Sequence, residues 1–62
     1  MNLGDRVAIL PPFGDGVSDY VITAVGYYHA DGTSSDAPDP EGWAQYEVDG
    51  TYYIAQWLEA RP

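Results

Sequence analysis

The sequence predicts an all-β fold, a five-stranded antiparallel meander closing into a small barrel. Three observations predict it. No window of eleven residues carries a sustained apolar 3.6-residue period free of Gly or Pro, so no ordinary helix is expected. The segments "DRVAIL" (5–10) and "YVITAVGYYH" (20–29) are rich in β-branched and aromatic residues and are bounded by turn residues. Asp49-Gly50 stands between Tyr46-Glu47-Val48 and Thr51-Tyr52-Tyr53-Ile54, the pattern of a tight hairpin.

The elements follow in order. In "DRVAIL", Val7 and Ile9 share one face, and Arg6, Ala8 and Leu10 the other. "PPFGDGVSD" must end that strand with its two Pro and two Gly, and Phe13 is expected to tuck inward and anchor the loop. In the second strand, strict alternation groups Tyr20, Ile22, Ala24 and Gly26 against Val21, Thr23, Val25 and Tyr27. Gly26 interrupts the run, so the bend a barrel needs is expected there. The loop "ADGTSSDAPDPEGW" (30–43) comes next, then the hairpin. The tail folds as one turn, "AQW", and a closing strand, "LEA", stopped by Pro62.

Length and composition narrow the function. Sixty-two residues make one domain, and a chain this short buries only ~60% of the surface its unfolded form exposes. There is no Cys and one His, His29, so disulfides, thiolate metal sites and multi-histidine sites are excluded within one chain. Packing must hold the fold, and six Tyr, two Trp and one Phe are the source. Trp57 is expected to plug one barrel end, and Trp43 to anchor core or loop.

Ten acids face two Arg and no Lys, for a net charge of −8. Nucleic-acid backbone binding is excluded, because it relies on Lys and Arg displacing counterions. Anionic membranes are disfavoured for the same reason, and a basic partner is the complementary expectation. The stretch "MNLGDRVAIL" lacks a basic, long apolar leader, and no apolar run approaches the roughly 18 residues of a membrane helix. A soluble, cytoplasmic protein is expected.

"GDRVAIL" is similar to the Gly-Asp-x-Val opening of many SH3-like barrels, and "GTYYIAQWLEARP" resembles their finish of strand, single 3₁₀ turn and short closing strand. The whole frame resembles small phage-encoded proteins. The Ala-Leu-Tyr-Asp-Tyr opening and adjacent Trp pair of signalling SH3 domains are missing, so a polyproline groove is not implied. The resemblance implies a location in the cytoplasm of an infected or lysogenic bacterium. It also implies that the loops after the first and second strands project on one side.

Four constellations could carry chemistry. Ser18, Ser34 and Ser35 have one possible base, His29, and Ser34 lies in the loop adjacent to it, where contact is possible. A 62-residue barrel has little room for a substrate pocket, so no enzyme and no cofactor are expected. Asp36, Asp39 and Glu41 offer oxygens to a hard cation, but they lack EF-hand spacing and read as turn residues, so no metal site is expected. Tyr27-Tyr28 and Tyr52-Tyr53 must each send one ring outward, and Tyr28 and Tyr53 are assigned as exposed anchors. Finally, Asp15 and Asp19 in the first loop and Asp31, Asp36, Asp39 and Glu41 in the second form one acidic rim if the loops share a side. Such a rim can imitate duplex phosphates.

The expected function is therefore non-enzymatic: a DNA-mimic inhibitor of a basic host nucleic-acid-binding protein such as a CRISPR or restriction component. The alternative is a structural or accessory phage protein that self-assembles, as a homodimer or larger, through sheet edges and its aromatic face.

Overall fold

The computed structural model describes residues 1–62. It contains β1 (Arg6–Ile9), β2 (Tyr20–Tyr28), β3 (Ser34–Ser35), β4 (Trp43–Val48), β5 (Thr51–Tyr53), a 3₁₀ turn (Ala55–Trp57) and β6 (Leu58–Ala60). The strands form one antiparallel sheet in the order β5-β4-β2-β1-β6, with β3 added beside β2. The fold is all-β, as expected, but it has six strands rather than five. The extra one is the two-residue β3 inside the acidic loop. The ladder does not close, because β5 and β6 end it without pairing. No helix is long and apolar enough to cross a membrane.

The hairpin and the tail fall where the sequence places them. Asp49 (φ 53°) and Gly50 (φ 80°) both take positive φ, the requirement of a two-residue turn matched to strand twist. Val48 then pairs with Thr51, and Tyr46 with Tyr53. The "AQW" turn feeds β6, which pairs with β1 from Val7↔Ala60 to Ile9↔Leu58.

β2 departs from the expected alternation. The pairing register shifts between Ile22 and Ala24, so the bulge lies at Thr23 and Gly26 pairs regularly with Gln45. One extra residue sends every later side chain to the opposite face. Tyr20 and Ile22 pack in the core, and the next residue to do so is Val25, not Ala24. Ala24, Gly26 and Tyr28 are thereby turned to the outer face.

The core is small. Val7, Ile9, Ile22, Val48 and Leu58 are buried together, with Tyr20, Val25, Tyr46 and Tyr53 packed around them. Each buried aliphatic side chain contributes roughly 1.5–3 kcal/mol. Ala8 is fully buried as well, so β1, flanked by β2 and β6, is covered on both faces and does not alternate. Phe13 is not tucked inward: it is 56% exposed and lies edge-on against Trp57 and Tyr53, with centroids 4.9 and 6.2 Å away. Trp57 is half-buried, with Phe13 laid against it rather than closing a barrel end.

Candidate interaction face

The two acidic loops leave β2 at opposite ends, one before Tyr20 and one after Tyr28. At ~3.3 Å per residue, that strand separates its ends by about 26 Å. The single rim of six acids is therefore not formed. A long second strand, bulged rather than bent at its glycine, keeps the loops apart.

Most of these acids are engaged within the chain. Asp15 accepts from the Ser18 hydroxyl and from the Ser18 and Val17 N–H groups, which hold its carboxyl down at about 2. Asp19 meets Arg6 at 2.9 Å and Arg61 Nε at 3.6 Å. Asp31 accepts from the Thr33 hydroxyl and N–H, and Asp39 from the N–H groups of Glu41 and Ala30. Both carboxyls are lowered by those bonds. Asp36 and Glu41 alone among the six offer carboxylates with no internal partner.

Cations are distributed unevenly. Arg6 lies opposite Val21 at the start of β2, where it also donates to the Pro62 carbonyl. Arg61 donates to the Gly16 and Val17 carbonyls at the same end and approaches Glu59 at 3.8 Å. The loop beyond Tyr28 holds Asp31, Asp36, Asp39 and Glu41 with no Arg or Lys, and His29 is its one basic group.

His29 fastens that loop. Its Nε2 lies 2.7 Å from the Ser35 hydroxyl, its Nδ1 3.5 Å from Asp39 Oδ2, and its N–H donates to the Thr33 carbonyl at 2.7 Å. The serine brought to the imidazole is Ser35, not Ser34. The order Ser-His-Asp is that of a nucleophilic relay, but the Asp39 contact is too long for a hydrogen bond. Ser35 Oγ also accepts the Ala37 N–H at 3.1 Å. These contacts tie β3 and the Asp39 turn to the end of β2. No group of three or more His, Asp or Glu side chains is gathered as a metal ion would require.

The outer face carries the exposed aromatics. Register places Ala24, Gly26 and Tyr28 of β2 opposite Glu47, Gln45 and Trp43 of β4, and Glu47 opposite Tyr52 of β5. Tyr28 stacks on Trp43, with centroids 5.0 Å apart and planes 22° apart, and Trp43 remains 52% exposed. Trp43 is thus a surface residue, not the core anchor expected. Of the second Tyr pair, Tyr52 is outward at 49% exposure, while Tyr53 packs on the core and cannot serve as an exposed anchor. Tyr28 lies on the outer face but is half-buried, covered by the Trp43 ring rather than exposed as assigned.

Between Tyr52 and β3 runs a groove of about 390 Å³, lined by Gly26, Ser34, Ser35, Asp36, Gln45 and Tyr52 among others. Asp36, whose carboxylate has no internal partner, is among the residues that line it beside the aromatic face. Glu47 lies beside it, its carboxylate accepting from the Thr23 hydroxyl at 2.8 Å. The face is aromatic and acidic and holds no basic side chain. Tyr28 reaches this face through the bulge, which falls at an ordinary Thr-Ala step. Trp43 and Tyr52 reach it by regular alternation from the core residues Val48, Tyr46 and Tyr53, and were missed because the sequence alone sets neither strand's inward face. Comparison with known families, with curated proteins and with solved structures finds no match for the chain.

Proposed function

We propose that this protein is a non-enzymatic interaction module that engages a basic partner through the acidic end of β2 and the adjoining aromatic face. The observation that carries the reading is the charge segregation. Both arginines are paired at one end, and Asp31, Asp36, Asp39 and Glu41 stand without a cation at the other. A partner built to bind nucleic acid offers the complementary field, and such a contact forms fast and weakens with salt. The protein then acts as a decoy for phosphates, and a CRISPR or restriction component is one such partner. The likeness of its frame to small phage-encoded proteins adds to that reading. The strand order β6-β1-β2-β4-β5 with a 3₁₀ turn before the last strand supports reading the fold, though open, as SH3-like, and bears on fold rather than function.

The open sheet edges favour a second reading, self-assembly through β5 and β6. Exposed edges are templates for pairing, yet these are only three residues each, the usual way of blunting one. One experiment separates the two. Tagged protein is incubated with bacterial lysate at low and high salt, and the retained proteins are identified by mass spectrometry. The decoy reading expects a nucleic-acid-binding protein that is lost at high salt, and lost when Asp31, Asp36, Asp39 and Glu41 become Asn or Gln. Retention of this chain alone, whatever the salt, overturns it in favour of assembly.

A further inference from the structure

Gly26 lies in the interior of β2, where glycine weakens a strand. Its backbone does not need glycine. Its φ lies outside the left-handed region that Gly4, Gly16, Gly32 and Gly50 occupy, and its pairing with Gln45 is regular. Packing does not need it either. A Cβ there meets the Ser35 carbonyl at 3.6 Å and Tyr52 Cε1 at 3.7 Å, ordinary contacts. Gly42 is the contrast, since a Cβ there would overlap the Tyr28 carbonyl. What glycine does at position 26 is leave the floor of the groove open.

The walls give that space a chemistry. Asp36 brings an unpaired carboxylate, Gln45 a carboxamide and Tyr52 an aromatic ring half in solvent. Neither arginine of the chain is near enough to fill it, because both are committed at the far end of β2. A ring beside a carboxylate suits a cation. Among cations, a planar, weakly hydrated guanidinium can both stack on the ring and donate in parallel to the carboxylate.

We propose that the groove over Gly26 receives an arginine side chain of the basic partner. The proposal rests on the interaction reading above and adds to it the residue recognised and the place where it seats.

The test uses the full chain, isotopically labelled, titrated at low salt with two blocked peptides of equal charge, one Gly-Arg repeats and one Gly-Lys repeats. The arginine peptide is expected to shift the amide of Gly26, the side-chain amide of Gln45 and the amide of Ser35, and to bind at least about ten-fold more tightly than the lysine peptide. Gly26→Val fills the floor with a strand-favouring residue and should abolish those shifts without lowering the melting temperature. Asp36→Asn, an exposed change, should weaken the arginine peptide about ten-fold and serves if the valine variant does not fold. Equal binding of the two peptides, with Gly26→Val without effect, overturns the groove while leaving the acidic reading intact. Absence of binding by either peptide at low salt overturns both.

Discussion

Two adjacent tyrosines show how residue-scale physics sets inside from outside. Tyr52 lies opposite Glu47 and Tyr53 opposite Tyr46, so successive rings on β5 go to solvent and to core. Alternation itself was legible in the sequence. The phase of β2 beyond Ile22 was not, because it depends on a single bulge at Thr23, where nothing in Ile22-Thr23-Ala24 marks an extra residue. Glycine drew the expectation to position 26 instead. The assignment has a direct check. Replacing Tyr53 by Thr keeps strand propensity but strips packing from the core, so it should cost about 2 kcal/mol by urea unfolding. The same change at Tyr52 should cost under about 1 kcal/mol. Equal losses at the two positions would place both rings in the core and remove Tyr52 from the binding face.

At the scale of elements, the hairpin was legible and β3 was not. Asp49-Gly50 encodes its own turn through two positive φ values. Ser34 and Ser35 carry no strand signal. They pair with Tyr28 and Tyr27 because a local turn, closed by His29 with Thr33 and Gly32, lays them there. The acids beside these turns are equally local in purpose. Asp15 folds the first loop by accepting from Ser18 and Val17, and its carboxyl falls from the ordinary 3.8 to about 2. The native loop thus holds that proton more weakly than the unfolded chain. Between those two values the unfolded state binds more protons, so stability falls as pH falls. The contribution is complete above the ordinary value near 4 and lost as pH drops through about 2. Urea midpoints measured from pH 5 to pH 2 should therefore decline more steeply in the wild type than in Asp15→Ala. The variant keeps a residual slope from Asp31 and Asp39, whose carboxyls are lowered in the same sense. Parallel profiles would mean that the Asp15 turn does not persist in solution.

The whole molecule sets its charge against its stability. The excess of acid was legible from composition, but its segregation was not, since it depends on Arg6 and Arg61 meeting Asp19 across the fold. Two opposed effects of salt follow. Screening weakens the arginine pairs, but Arg6–Asp19 is exposed on both sides, where a pair is worth only about 0–1 kcal/mol, and the half-buried Arg61 stands 3.6 Å or more from its carboxylates. Screening also relieves repulsion among ten acids within a body of 34 × 23 × 18 Å. At 0.01 M ionic strength the Debye length is ~30 Å, long enough for every acid to feel the others, and at 0.15 M it is ~8 Å. Repulsion has many more terms than attraction here, so added salt should raise the melting temperature between these concentrations. Single changes should split by location. Asp36→Asn removes a repelling charge with no internal partner and should raise the low-salt melting temperature, whereas Asp19→Asn breaks contacts to both arginines and should lower it. A melting temperature that falls with salt would mean that the attractions of the paired end outweigh the repulsion among the acids. If it rises, and Asp36→Asn is more stable but binds the arginine peptide less well, the carboxylate at the groove is held against the stability of the fold. That combination is the mark of a residue kept for binding.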